Sequence, residues 1–227
     1  MRLLAFDVTA AACSAAVLGG SGEVLAHAAR MAERGHSELL MPMLRDVLGA
    51  AGTKVGDLGL IAVTTGPGTF TGIRIGLAAA RGLALAGGIP LRGVTSFDAV
   101  AAAVAAEERA GRPLVLAIDS RRADLFVQAF GADVRAPAAV PPDGLGHWAP
   151  AGPLLVAGDA AAAAADVLRA AGREASLARW QGPPDAVHVA RAALAGWQPN
   201  LSMPPPAPFY LRAPDVTRPP AAARAAG

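Results

Sequence analysis

Apolar residues open the chain in short runs separated by turn residues. Leu3 to Phe6 ends in Asp7, Cys13 to Leu18 follows, and Gly19, Gly20, Ser21 and Gly22 lead into a third run from Val24 to Ala32. Runs of this length bounded by glycine predict the strands of a β-meander. From Ser37 the period changes. Leu39, Leu40, Met43, Leu44, Val47 and Leu48 recur at helical spacing, Gly49 and Gly52 mark the end, and Pro42 is expected in the first turn. Leu60 to Thr65 predicts a strand, Gly66 to Gly72 a turn, and Ile73 to Ala86 a helix stopped by Gly87, Gly88 and Pro90. A strand at Leu91 to Val94 then leads to Ser96, read as the N-cap of an alanine-rich helix reaching about Ala110.

The opening pattern then returns. Leu114 to Ile118 ends in Asp119 and Leu125 to Phe130 follows a polar turn, as Leu3 to Phe6, Asp7 and Cys13 to Leu18 do. Two such units half a chain apart predict a duplicated α/β lobe. Ala136 to Pro153 holds five prolines and reads as a loop. Leu154 to Ala157 reads as a strand, Asp159 to Ala171 and Val187 to Trp197 as helices. From Pro199 onward proline recurs too often for helix or central strand, which predicts an extended tail docked through Phe209, Tyr210 and Leu211. The domain expectation is an N-terminal lobe over 1–110, a reduced C-terminal lobe over 111–212, and a flexible tail over 213–227.

Composition narrows the function classes. Cys13 is the only cysteine, so an intrachain disulfide and a cysteine-based zinc site are both excluded. Although 53% of residues are hydrophobic, alanine dominates that fraction, and the best run, Ile73 to Ile89, is interrupted by Arg74 and Arg81. No membrane span is expected. An acid at position 7 breaks any signal-peptide core, and the expectation is a soluble cytoplasmic protein. The net charge is only +2 and the arginines are scattered, Arg121 and Arg122 being the densest pair, so direct nucleic-acid binding is not expected.

Candidate chemistry concentrates around Thr64-Thr65-Gly66-Pro67-Gly68-Thr69-Phe70-Thr71-Gly72. Glycines here permit positive φ, and the N-terminus of the next helix favours an anion, so a phosphate cradle is one reading. No Gly-Lys-Ser/Thr follows, which excludes a Walker A loop. The plain alternative is a tight strand-to-helix turn with Thr71 as cap. In the helix itself Gly72, Gly76 and Ala80 fall four apart and form a stripe without bulk, suited to close approach by a partner helix or by the chain's own sheet. Asp7 and Thr9 resemble the first phosphate-binding hairpin of actin-like ATPases, where an aspartate manages magnesium, but Val8 stands where glycine is usual. A solvated strand-end aspartate is the alternative. His27, His36, His147 and His188 have no ligand spacing, and no catalytic triad is assignable.

The Leu4-Ala5-Phe6-Asp7-Val8-Thr9 strand, Arg34-Gly35-His36-Ser37-Glu38-Leu39-Leu40, the Gly66 loop with Arg74 and Gly76, Gly93-Val94-Thr95-Ser96-Phe97, and Tyr210-Leu211-Arg212 together resemble the TsaB (YeaZ) family. These are accessory subunits of bacterial threonylcarbamoyladenosine synthesis on tRNA. The resemblance is dense over residues 1 to about 130 and thinner in the tail. It implies an α/β fold of the actin-like ATPase (RNase H-like) type, two related lobes with mixed sheets flanked by helices, the second reduced. It also implies a catalytic partner, TsaD, the ATPase TsaE, a homodimer when alone, and tRNA contact only through the complex. Where the related catalytic subunit carries a His, three residues, His metal pair, this chain has Ser96 and Val100, neither a competent ligand.

The function expected from the resemblance is therefore a non-catalytic scaffold. Its partner interface is read as Leu40, Met43, Leu44 and Val47 of the first helix and Gly72, Arg74, Gly76 and Ala80 of the next. Gly66, Pro67, Gly68 and Thr71 form the loop, and no metal or tightly bound cofactor is expected. ATP or ADP with magnesium is placed, if anywhere, at the complex interface. Two rivals remain: an actin-like-fold phosphotransferase using Asp7, Thr9 and Asp119, with Val156-Ala157-Gly158-Asp159 as an adenosine-site fragment, and a glycoprotease-type metalloprotease, against which the absence of a His-Glu-x-x-His set argues.

Overall fold

A computed structural model describes residues 1–32, 35–198 and 204–212. Arg34 and the tail expected over 213–227 lie outside the described residues. Strands β1 (Arg2–Asp7), β2 (Ala12–Gly19), β3 (Val24–Met31), β4 (Leu58–Gly66) and β5 (Leu91–Thr95) form one sheet in the order β3-β2-β1-β4-β5. The first three pair antiparallel, with Phe6 opposite Ala15 and Asp7 opposite Ser14, whereas β1–β4 and β4–β5 pair parallel. β1, β2 and β4 are apolar at almost every position because helices cover both faces of the sheet, as parallel pairing requires.

One face carries α1 (His36–Ala50) and α2 (Phe70–Gly87). Their Leu40, Leu44, Val47, Ile73, Leu77 and Ala80 close over Leu4, Phe6, Val8, Cys13, Ile61 and Val63. The alternate residues Leu3, Ala5, Leu60 and Ala62 point to the other face and meet α7 (Ala186–Leu194) through Ala186, Val189, Ala190 and Ala193. This two-way division follows from the period of two along a strand.

The second sheet repeats the first. β6 (Leu114–Asp119), β7 (Leu125–Phe130), β8 (Arg135–Val140), β9 (Leu154–Ala157) and β10 (Ala175–Leu177) run in the order β10-β9-β6-β7-β8, with antiparallel β6–β7 and β7–β8 and parallel β6–β9 and β9–β10. α5 (Leu145–Trp148) and α6 (Ala161–Ala170) cover one face. The other face takes α3 (Ser96–Ala103), whose Phe97 and Val100 pack on Leu114, Leu116, Ile118 and Phe126, while its Ala99 stays with the first sheet. Each unit thus lends a helix to the other's sheet, α3 to the second and α7 to the first. The split expected at residue 110 is a boundary in sequence that packing crosses.

Several expected elements are corrected. Pro42 lies inside α1, beyond the first turn; burial of Leu40, Leu44, Val47 and Leu48 holds the helix despite the lost backbone donor. The helix expected from Ser96 to Ala110 breaks at Val104, with α4 (Ala106–Arg109) following, and its cap is Thr95, whose Oγ1 accepts from Asp98 N at 2.9 Å. The proline-rich stretch expected as loop contains β8 and α5; Pro137 is tolerated because β8 is an edge strand. β10 forms in a stretch whose sequence pattern marks no strand.

Candidate functional site: the Gly66 turn and the interlobe cleft

β1 and β4 end side by side, bringing Asp7 to the Gly66 turn. Asp7 is fully buried. Its Oδ1 accepts from Thr9 Oγ1 at 2.6 Å, from Thr9 N at 3.2 Å and from Thr64 Oγ1, while Oδ2 is buried with no hydrogen-bond partner. Burial pushes the carboxyl up to about 6, against the Thr64 and Thr9 hydrogen bonds that pull it down. Thr9 is also buried, its Oγ1 3.4 Å from Ser96 Oγ. The turn closes directly over this group: Thr69 N donates to Thr9 O at 2.7 Å, and a Cβ on Gly68 would lie 2.4 Å from the same oxygen.

Asp7 is therefore not the solvated strand-end acid of the plain reading. Nor do Asp7 and Thr9, as they stand, fit a magnesium nucleotide. A hydrated cation needs a reachable carboxylate oxygen, and both oxygens of Asp7 lie in the interior beneath the turn. Among the described residues no group of three or more His, Cys, Asp or Glu side chains could hold a metal ion. In the second unit, Asp159 Oδ1 accepts from Asp119 N at 2.9 Å, and burial raises the Asp159 carboxyl.

The turn launches α2 through Thr69, not Thr71. Thr69 Oγ1 accepts from Gly72 N at 3.2 Å, and Thr71 sits exposed in the first helical turn. The small-residue stripe faces inward. A Cβ on Gly72 would stand 1.9 Å from Val8 O, one on Gly76 would stand 3.1 Å from a Val8 methyl and 3.3 Å from a Val63 methyl, and Ala80 is fully buried. Leu40, Leu44 and Val47 are buried in the same core. The interface expected from Leu40, Leu44, Val47, Gly72, Gly76 and Ala80 is thus corrected: all six are seated in the chain's own packing, with Met43 half-buried and Arg74 exposed.

What α1 and α2 present outward is different: exposed Met41, Phe70, Ala78 and Leu85, with half-buried Leu39, Ile75, Ala79 and Leu83.

The expected docking of Phe209, Tyr210 and Leu211 is present. Phe209 N donates to Thr65 O at 2.8 Å. The Tyr210 and Phe70 rings lie 5.2 Å apart, Arg74 sits 3.7 Å over the Phe70 ring, and its Nε reaches Tyr210 OH at 3.4 Å. Between the lobes this leaves a cavity of about 230 Å3, walled by Gly68, Thr69 and Phe70 on one side, Ser120, Arg121 and Phe126 on the other, and the docked segment. Arg121 pairs with Asp119 at 3.4 Å and Arg212 with Asp124, so these cleft arginines are offset by carboxylates.

A family model described as TsaD, tRNA N6-adenosine threonylcarbamoyltransferase, matches residues 28–136. The tRNA threonylcarbamoyladenosine biosynthesis protein TsaB of Escherichia coli (strain K12) is 39% identical over 126 residues, which are 56% of this chain and 53% of that one. The TsaB of Haemophilus influenzae is 32% identical over 126 residues, 56% of this chain and 52% of its own. Over nearly the whole fold, the crystal structure of a Pseudomonas aeruginosa protein described as similar to peptidase YeaZ superposes with a TM-score of 0.74 at 26% identity, covering 93% of this chain and 99% of that one. In sequence over about half of its length, and in fold over nearly all of it, the chain is similar to TsaB/YeaZ proteins. It spans about half the length of the curated TsaB relatives it matches. The ROK hexokinase of Thermus thermophilus, at a TM-score of 0.52 and 12% identity over 85% of this chain and 98% of its own, shares the fold alone. The two-sheet architecture is thus that of the actin-like ATPase fold. Ser96 and Val100 are both buried within α3.

Proposed function

We propose that this chain is a non-catalytic accessory subunit for threonylcarbamoyl transfer to the adenosine next to the anticodon of tRNAs, acting by binding and supporting the catalytic subunit TsaD together with TsaE. The observation that carries the reading is the closed Asp7 site. A chain with the fold of a nucleotide-dependent enzyme keeps its strand-end aspartate in the interior beneath its own Gly66 turn. Ser96 and Val100 further support it by offering no metal ligand in α3. A phosphotransferase reading would need Asp7, which is buried, and its other acid, Asp119, is exposed but paired with Arg121.

The partner surface in this reading is the outer face of α1 and α2, where Met41, Phe70, Arg74, Ala78 and Leu85 are exposed. Exposed apolar residues on two adjacent helices suit a helical partner and account for self-association when the subunit is alone. The tRNA contacts the assembly through the catalytic subunit, and ATP or ADP with magnesium belongs to the interface of the complex.

The test is synthesis of threonylcarbamoyladenosine by the remaining components with and without this chain. Loss of synthesis without it is the expected result, and an undiminished rate would overturn the assignment. Met41→Glu and Ala78→Glu, both at exposed positions, are expected to abolish co-purification with TsaD while leaving the thermal melting temperature unchanged. Full retention of the complex would remove this face from the interface.

A further inference from the structure

Residues 204–212 make contacts in both halves of the chain. Toward the first sheet, Phe209 N donates to Thr65 O at 2.8 Å, Arg81 donates to Pro206 O at 2.7 Å, and Tyr210 packs on Phe70. Toward the second sheet, Arg212 pairs with Asp124 in the turn between β6 and β7, its guanidinium 6.0 Å from the Phe126 ring centre. Phe209 and Leu211 pack into the cluster built from Phe97, Ile118 and Phe126.

Two glycines are shaped to this segment. A Cβ on Gly66 would stand 2.5 Å from Phe209 O, and one on Gly93 would stand 2.7 Å from Pro206 Cβ. Gly93 lies within β5, where no turn calls for glycine. In a strand interior glycine weakens pairing and commonly marks close approach by another backbone. At Gly93 the space is taken by the Thr65 methyl, 2.6 Å from a Cβ there, and by the Pro206 ring of the segment.

We propose that residues 206–212 are a strap that ties the two lobes across the cleft and holds the Gly66 turn closed over Thr9. The exchange of α3 and α7 joins the lobes through apolar packing and through bonds at α7, where Ala186 N donates to Ser14 Oγ at 3.0 Å and Arg92 donates to Ala193 O at 2.6 Å. The strap adds further directional ties at the cleft: three hydrogen bonds and an aromatic pair on one lobe, an ion pair on the other. Its side chains also form one wall of the 230 Å3 cavity, so its release opens that cavity and frees the turn in the same motion.

The test is amide hydrogen exchange on the full chain, comparing Arg212→Ala and Tyr210→Ala with the unaltered protein. Arg212 is the anchor on the second lobe, whereas the Phe209 and Thr69 amides bond to Thr65 O and Thr9 O on the first. With a cooperative strap, Arg212→Ala lowers protection of both amides about tenfold, as loss of an anchoring contact of about 1.4 kcal/mol implies. Tyr210→Ala does the same, Tyr210→Phe restores most of it, and the α6 amides keep their protection in all three as evidence of an intact fold. Faster exchange confined to residues next to the substituted position, or no change at Phe209 and Thr69, would overturn the proposal.

Discussion

Replacing Asp7 by asparagine isolates the titration of the one fully buried carboxyl at the strand ends. In the folded chain this group titrates at about 6, against an ordinary value of 3.8. At about 1.4 kcal/mol per pH unit, that displacement corresponds to about 3 kcal/mol. The sign follows from proton linkage. A carboxyl whose folded pKa is raised binds its proton more tightly when folded, so its proton favours the folded state fully below pH 3.8. That contribution drains away as pH rises through about 6. Above that point the chain carries an ionised carboxylate in its interior with Oδ2 unpaired. The amide of Asp7→Asn imitates the protonated form: its carbonyl takes the Thr9 and Thr64 bonds and it never ionises. The difference in unfolding free energy between variant and parent therefore moves in the variant's favour by up to about 3 kcal/mol between roughly pH 4 and pH 7. Urea titrations at about pH 4.5, 5.5, 6.5 and 7.5 measure it, and taking the difference cancels every other titrating group. A difference that stays flat across that range, or runs the other way, would refute the assignment of the raised pKa to Asp7.

Gly72→Ala places a methyl 1.9 Å from Val8 O, where a backbone atom must move, and the expected loss is about 3 kcal/mol by chemical denaturation. A loss below a tenth of that would show that α2 shifts freely on the sheet. Cys13 is buried and its thiol is pushed up to about 11 by burial, with the nearby Asp7 adding to the shift. Alkylation by iodoacetamide at about pH 8 is therefore expected to proceed only as fast as the chain opens, rising steeply with urea, and a denaturant-independent rate would contradict the burial.

Much of this architecture was legible because its signals are local. The alternation between apolar runs and glycine turns gives β1 to β3, and the returning strand-Asp-turn-strand motif gives the second lobe, which the matching strand orders of the two sheets bear out. The misread elements depend on context instead. Pro137 in β8 is acceptable only because that strand has a free edge, and Pro42 survives inside α1 only because four apolar side chains hold the helix to the sheet. The exchange of α3 and α7 could not be read from periodicity, since an amphipathic helix records that it has a buried face and not which sheet buries it.

The small-residue helix illustrates the same limit at the candidate site. Four-residue spacing at Gly72, Gly76 and Ala80 marks a backbone that something approaches closely, and spacing alone does not say what. The deciding residue lies far upstream, in the hairpin that opens the chain. Val8 raises a methyl toward Gly76 while its carbonyl meets Gly72. The glycines of α2 are thus the complement of Val8 and let the helix seat on β1 and β4. This same seating brings the Gly66 turn down over Thr9 and buries Asp7. The burial of Asp7 and the close seating of α2 on the sheet are one structural arrangement, and α2 turns Phe70, Arg74, Ala78 and Leu85 outward.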